Sequence, residues 1–304
     1  MLNKDLPLVG IVMNCYNSDK YLQEAIDSIY NQSYSNWEIV FWDNASTDNS
    51  ASIVKSYDER IKYYLAPETT PLGEARNLAL KKASGQYIAF LDCDDIYLPD
   101  KLEQQVKLMQ DKDYAMCYGS VAVIDENGKE IKKNIVKNKS GNVFSSLLRR
   151  YEINMQTVML KRDFIVSNQL AFNTNMSYCP DHNLFMIIAS KVDVGVITDV
   201  VAKYRIVGNS LSKKTIDIAP QEYRLTLDEI SKGNPTLRQQ LSNDFDFAYN
   251  KAKYYEVVAD IYNNKRQARY KLRGIYTSKI EYFLLYLLLF MPISNKLILK
   301  LLGR

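Results

Sequence analysis

Between residues 8 and 110, short apolar runs alternate with stretches of helical periodicity, and that alternation restricts the fold more than any other feature. Leu8–Cys15 (LVGIVMNC), Trp37–Trp42 (WEIVFW), Ile61–Leu65 and Tyr87–Leu91 (YIAFL) have the length of strands. Their unbroken apolar character suits a parallel sheet buried on both faces. After the first run, Leu22, Ala25, Ile26 and Ile29 repeat at i, i+3, i+4 and i+7, with Ser18 placed to cap a helix. A second helix follows the turn Asn44–Asp48 through about Tyr57, with Ser46 or Thr47 as its cap. A third covers Gly73–Ala83 with Gly85 at its C-cap, and Pro99 opens a fourth through about Gln110. Strand and helix alternating four times predict an α/β fold with an open sheet, helices on its faces and right-handed crossovers.

After Lys112 the pattern loosens. Tyr114–Ile124 reads as a strand, Asn127-Gly128 as a hairpin turn and Glu130–Val136 as the partner strand. Short helices at Val143–Arg150 and Arg162–Asn168 flank a strand at Thr157–Leu160. Asn183–Ser190 reads as a helix, Val194–Tyr204 as a strand, and most of the chain from about Asp217 as helix.

Composition narrows the functional classes. Of 304 residues, 39 are basic and 35 acidic, a balance unsuited to non-specific nucleic-acid binding. A single histidine excludes a multi-histidine metal site and leaves acid/base work to carboxylates. Cys15, Cys93, Cys117 and Cys179 are scattered with no CxxC pair, so reduced thiols in a cytoplasm are the simplest expectation. No basic and apolar leader precedes the first strand, so no secretory signal is expected. Residues 251–304 hold 11 basic and 3 acidic residues, whereas the first 250 hold 28 and 32, which separates the tail from the rest.

In open α/β sheets, ligands bind beyond the carboxyl ends of the strands. Asn14, Tyr16 and Asn17 stand there after the first strand, Asp43 after the second, and Asp92, Asp94 and Asp95 after the fourth. Three carboxylates within four residues repel one another and call for donors or a cation. Hard Mg²⁺ or Mn²⁺ ions prefer such oxygen ligands and bridge to phosphates; a solvated turn is the plainer alternative. Asp43 could accept from a base or ribose, or serve the turn. In Gly73-Glu74-Ala75-Arg76-Asn77, Arg76 near a helix start suits phosphate or is a surface arginine. No GxGxxG or GxxxxGK[ST] occurs, so neither a dinucleotide motif nor a P-loop is supported.

The order of these pieces resembles the family 2 glycosyltransferases, which have the GT-A fold. Val12–Asn17, Asp43–Asp48, Gly73–Asn77, Ala83–Asp95, Tyr204-Arg205 and Gly208–Ser212 carry the resemblance, over about residues 7–212. It implies inverting transfer from a nucleotide-diphospho-sugar donor of UDP or dTDP type, with a divalent cation (Mn²⁺ or Mg²⁺). The acceptor would be a glycan or a lipid-linked molecule of bacterial surface-polysaccharide or lipooligosaccharide assembly. Asn14, Tyr16, Asn17, Asp43, Asn44, Arg76, Asp92 and Asp94 would bind the donor, and Asp94 and Asp95 the metal. Asp181 matches the catalytic base, although Pro180 stands where the family usually has Glu; an N-cap is the alternative. His182, Arg205, Asn209 and Ser212 are candidates for phosphate or acceptor contacts. Asn44 stands where many relatives have a second Asp, and Val207 where many have His.

The resemblance implies a GT-A catalytic domain over 1–215, with a nucleotide half to about 112 and an acceptor half from 113, and a helical extension over 216–304. In that extension Tyr282–Met291 (YFLLYLLLFM) is followed by Pro292 and a second apolar piece, Leu297–Leu302. The run is too short to span a bilayer. It fits a helix docked on the domain, a homodimer interface, or an in-plane helix on the cytoplasmic face of the inner membrane. The last is favoured by Lys265, Arg266, Arg269, Lys271, Arg273 and Lys279. Two rivals are a sugar nucleotidyltransferase, which would carry a Gly-rich basic loop where Tyr16-Asn17-Ser18-Asp19 stands, and a nucleotide-sugar-binding relative without activity.

Overall fold

The computed structural model of the chain describes residues 6–208, 216–263, 268–273, 275, 279–291, 294 and 297–298. The chain divides into two compact units, Met1–Ser210 and Leu211–Arg304.

In the first unit the described strands are β1 (Val9–Cys15), β2 (Trp37–Asp43), β3 (Ile61–Leu65), β4 (Tyr87–Phe90), β5 (Ile96–Tyr97), β6 (Met116–Ile124), β7 (Glu130–Asn134), β8 (Met159–Lys161) and β9 (Gly195–Arg205). Its helices are α1 (Asp19–Tyr30), α2 (Ser50–Val54), α3 (Leu72–Leu80), α4 (Lys101–Lys112), α5 (Phe144–Arg149), α6 (Arg162–Ser167) and α7 (Pro180–Ala189). All the strands join one sheet in the order β3-β2-β1-β4-β8-β6-β9-β5, with β7 paired to β6. β1 is parallel to β2 and β4, and β2 to β3, as the alternation predicts. Beyond β4 the sheet is mixed: β8 is antiparallel to β4 and β6, β9 parallel to β6, and β5 antiparallel to β9. The parallel pairing that the alternation predicts thus holds for β1 to β4, and the open sheet continues beyond them as a mixed one. Antiparallel neighbours need no helical crossover, so they leave no alternation to read.

β1 and β2 are buried almost throughout, and Leu22, Ala25, Ile26 and Ile29 of α1 share their core with Leu102, Val106 and Met109 of α4. The expected Asn127-Gly128 turn is present. Asp125 accepts from the Asn127 and Lys129 amides at 2.9 Å, and Gly128 takes φ +81°.

Local signals misled at helix ends. α3 stops at Leu80, so Gly85 is not its C-cap. A Cβ on Gly85 would instead stand 2.4 Å from the Gly10 nitrogen and 2.7 Å from the Leu8 oxygen. Glycine is there for close backbone approach. Gly85→Ala should cost about 2–3 kcal/mol, read as a lower urea midpoint; an unchanged midpoint would mean that the strands part at no cost.

α4 carries an anomaly. Lys101 is fully buried; its Nζ donates to Gln105 Oε1 at 2.6 Å and lies 4.0 Å from the Tyr97 ring centre. Burial pulls its pKa down to about 7.

The second unit contains α8 (Ala219–Gly233), α9 (Pro235–Gln240), α10 (Ser242–Tyr262), α11 (Ala268–Lys271) and α12 (Ile280–Leu288). Tyr254, Val257, Val258 and Ile261 of α10 form a core with Leu272, Ile275, Tyr282, Leu285 and Ile298. α12 thus buries Tyr282 and Leu285, while Ile280, Phe283, Leu284 and Leu287 are exposed, as are Phe290 and Met291 beyond it. No described helix is long and apolar enough to cross a membrane.

Candidate active site

The parallel register aligns the carboxyl ends of β1, β2 and β4, with Cys15 opposite Asp43 and Val12 opposite Phe90. The loops leaving those ends form the site.

The loops after β1 and β2 are tied to each other. Asn17, left-handed at φ +48°, donates its amide to Ser46 Oγ (3.1 Å), and its Oδ1 accepts from the Thr47 amide (2.8 Å). The Ser18 amide donates to Ser50 Oγ (3.3 Å), the Asp19 amide to Asp48 Oδ2 (3.0 Å), and the Asn49 amide to Asp19 Oδ2 (3.3 Å). Asp48 also accepts from the Ser50 amide at 3.0 Å. So Asp48 binds the first amides of both α1 and α2, and the expected side-chain caps Ser18, Ser46 and Thr47 play no such part. Tyr16 stands beside this knot, half exposed.

Asp43 is buried, accepting from the Ser46 amide at 2.8 Å and the Tyr63 hydroxyl at 2.7 Å. Asn44 holds Thr70: Nδ2 donates to its carbonyl (2.8 Å), and Oδ1 accepts from its amide and hydroxyl (both 3.1 Å). Both side chains are therefore engaged in holding the chain around the end of β2. Asn14 at the end of β1 has a buried Nδ2 with no hydrogen-bond partner.

Burial alternates through the acidic turn. Leu91, Cys93, Asp95 and Tyr97 are buried, and Asp92 and Asp94 are partly exposed. The two accessible carboxylates thus share the open side. Burial first, then the charge of Asp92, pushes the Asp94 carboxyl up to about 6. Asp95 does not share that side, contrary to its expected place at the sheet edge. It is buried, one oxygen accepting from the Arg205 amide at 2.7 Å and the other without a partner.

Arg205 is also structural here. β5 and β9 pair antiparallel with Ile96 opposite Lys203, which brings Arg205 beside Asp94. Its Nε donates to the Asp94 carbonyl (2.9 Å), Nη1 to the Asp125 and Glu126 carbonyls (both 3.4 Å), and Nη2 to Glu24 (2.6 Å). The guanidinium also lies 4.3 Å from the Tyr21 ring centre. Those partners occupy it, so the expected phosphate or acceptor contact is replaced by support of the turn. Asn209 and Ser212 lie outside the described residues.

Arg76 is buried rather than on the surface, 3.4 Å from Asp92 Oδ1, its Nε without a partner. Asp181 occupies the first turn of α7, whose N-cap is Cys179, so it is no cap itself. Burial raises its pKa; Arg76 opposes that rise, and Asp92 adds to it. Asp92, Arg76 and Asp181 therefore interact electrostatically across three elements. His182 is buried, its ring 4.5 Å from that of Tyr151. Gln156, unremarked in the sequence, contacts Asp92 twice: Nε2 donates to Oδ2 (2.7 Å), and Oε1 accepts the Asp92 amide (2.9 Å). The only local signal was Asn154, which caps the turn that carries it. Among the described residues, no three His, Cys, Asp or Glu side chains gather so as to hold a metal by themselves.

The sequence family described as Glycosyl transferase family 2 matches residues 10–176. An uncharacterized glycosyltransferase of Haemophilus influenzae is 37% identical over 53% of this chain and 65% of its own length. Of relatives from Rickettsia, this chain spans 33% or less of the length. The E. coli UDP-Glc:alpha-D-GlcNAc-diphosphoundecaprenol beta-1,3-glucosyltransferase WfgD is 32% identical over 67% of this chain and 79% of its own. Among solved structures, S. aureus TarS 1-349 in complex with UDP-GlcNAc has the same fold, with a TM-score of 0.65 at 18% identity over 87% of this chain and 83% of that one.

Proposed function

The chain belongs to glycosyl transferase family 2, and we propose that it moves a sugar, with inversion, from a nucleotide-diphospho-sugar to a glycan or lipid-linked acceptor of cell-surface polysaccharide assembly. The observation that carries this reading is the Arg76–Asp92 pair at 3.4 Å beside the acidic turn, with the Asp181 carboxyl feeling the charge of both. Of the expected UDP or dTDP donors, the uridine one is supported by the UDP-GlcNAc bound by TarS and the UDP-Glc in the name of WfgD. The diphosphoundecaprenol in that name supports a lipid-linked acceptor.

In this reading Asp181 accepts the proton of the acceptor hydroxyl while that oxygen bonds to the anomeric carbon and the nucleoside diphosphate departs with the electron pair of the broken bond. Asn14 and Tyr16 face the base, Asp92 the ribose or sugar, and Arg76 the developing diphosphate charge. A divalent cation, Mn²⁺ or Mg²⁺, fits the crowded carboxylates, and Asp94 would hold it. Asp95 supports that turn from beneath, and its unpartnered oxygen marks where charge lacks compensation. A hard ion takes its other ligands from diphosphate and water, so one or two carboxylates suffice. It supplies charge neutralisation on the leaving group. A thermal-shift panel tests the reading: UDP, dTDP and GDP sugars, each with and without Mn²⁺. One nucleotide should raise the Tm, and more so with Mn²⁺. No shift with any of them would remove the proposal.

The exposed row Phe283, Leu284 and Leu287 on α12, in a tail with eight net positive charges, supports a place on the cytoplasmic face of the inner membrane. Exposed charges add about 1 kcal/mol each near anionic lipid. Phe283→Asp with Leu287→Asp should weaken sedimentation with phosphatidylglycerol vesicles by about 10²–10⁴-fold, since each buried large side chain contributes about 1.5–3 kcal/mol. A wild-type chain that ignores such vesicles at low salt would refute the membrane part alone.

A further inference from the structure

We infer that Gln156 is a positioning residue for the donor, setting the orientation of Asp92 from the neighbouring strand; this rests on the donor-binding reading above. β4 and β8 pair antiparallel with Ala89 opposite Met159. Continuing that register by three residues brings Asp92 opposite Gln156. The Gln156 carboxamide meets Asp92 at two points, accepting from its backbone amide at 2.9 Å and donating to Oδ2 at 2.7 Å. A carboxamide carries an acceptor and a donor side by side, which a carboxylate or an aliphatic side chain does not. Arg76 engages only the other carboxylate oxygen, at 3.4 Å. Gln156 is therefore the shorter and less accessible contact, 2% exposed where the Asp92 side chain is 37% exposed.

Gln156 is itself held. Its amide donates to Asn154 Oδ1 at 3.1 Å, and the Thr157 hydroxyl donates to the Asn154 carbonyl at 2.7 Å. From below, Gln105 Nε2 donates to the Thr157 carbonyl at 2.7 Å. The turn 154–157 has little freedom, so the carboxylate it grips has little either. The Asp92 side chain stays 37% exposed, and in this reading its exposed part meets the donor.

The test is a double-mutant cycle read by calorimetric titration of UDP with Mn²⁺, and of dTDP with Mn²⁺, together with Tm. Gln156→Met should keep the Tm within a few degrees and weaken nucleotide binding about tenfold or more. In an Asp92→Ala background the same substitution should have no further effect, because it acts through that carboxylate. Gln156→Glu serves where the Met variant fails to fold. It keeps the acceptor for the Asp92 amide but sets a carboxylate oxygen against Oδ2, and Asp92→Asn in the same chain restores donor-to-acceptor pairing. That double variant should recover the wild-type Tm without recovering nucleotide affinity. Unimpaired binding by Gln156→Met, or an equal loss with and without Asp92, overturns the assignment to Gln156 while leaving the donor site standing. A wild-type chain that binds no nucleotide overturns both.

Discussion

Asp181→Asn is expected to fold normally, bind donor with nearly unchanged affinity, and turn over about 10²–10⁴-fold more slowly. The loss corresponds to about 3–5 kcal/mol of barrier. The substitution keeps the shape of the side chain and removes its ability to accept a proton. Burial raises the affinity of this carboxyl for protons, Asp92 adds to the rise, and Arg76 keeps it from going further. A carboxylate poised above its ordinary range is the stronger base for taking the acceptor proton. Its ionisation should appear as an acid-side limb in the wild-type pH profile of kcat, above the usual carboxylate range. Steady-state kinetics of both chains, with donor KM measured separately from kcat, checks this. Near-normal turnover by the Asn variant would exclude Asp181 as the base.

Lys101 gives the second large effect, and it concerns stability. The folded chain holds this amine at about 7, against 10.5 for an ordinary lysine. Between those values the unfolded chain binds a proton that the folded chain does not. Stability therefore rises with pH across this window, by on the order of 3–5 kcal/mol over its full width. Below pH 7 the dependence stops, because both states are protonated. Lys101→Met removes the titration and should flatten the alkaline rise. It leaves Gln105 Oε1 without its donor, which costs about 1–3 kcal/mol, so the gain at pH 7 is smaller, about 1–3 kcal/mol. Denaturant midpoints at pH 7 and pH 9.5 for both chains measure it. Parallel curves would show that the lysine is protonated in the fold.

The first half of the sheet was legible because parallel strands buried on both faces leave unbroken apolar runs, and the helices between them leave a 3.6-residue period. The places of the acidic turn and of Arg76 in the chain followed from a strand end and a helix start, whereas Asp181 was reached only through the family resemblance, and the burial of Arg76 showed only in the fold. What sequence did not carry was reciprocity between distant loops. Ser18 looks like a cap by its neighbours, yet the cap comes from Asp48, 29 residues beyond Asp19. Arg205 looks like an anion contact until β9 is seen to bring it under the acidic turn, where Asp94, Asp125, Glu126 and Glu24 take its donors. Asp95 looks like its neighbours, but alternation along the turn buries it. Gln156 had no signal toward Asp92, because the antiparallel register between β4 and β8 is a property of the pairing and not of either segment.

The knot between the loops after β1 and β2 bears on how specificity can be exchanged between chains of this kind. Asn17, Ser18 and Asp19 exchange hydrogen bonds with Ser46, Thr47, Asp48, Asn49 and Ser50, in both directions. A crossover point anywhere between residues 20 and 45 would pair one parent's Asn17 with the other's Thr47 and break several contacts at once. On the proposed donor-binding reading, grafting a nucleotide preference onto this scaffold therefore requires residues 14–19 and 43–50 to travel as one cassette. Chimeras that carry only one of the two loops should therefore melt below both parents, whichever donor they take.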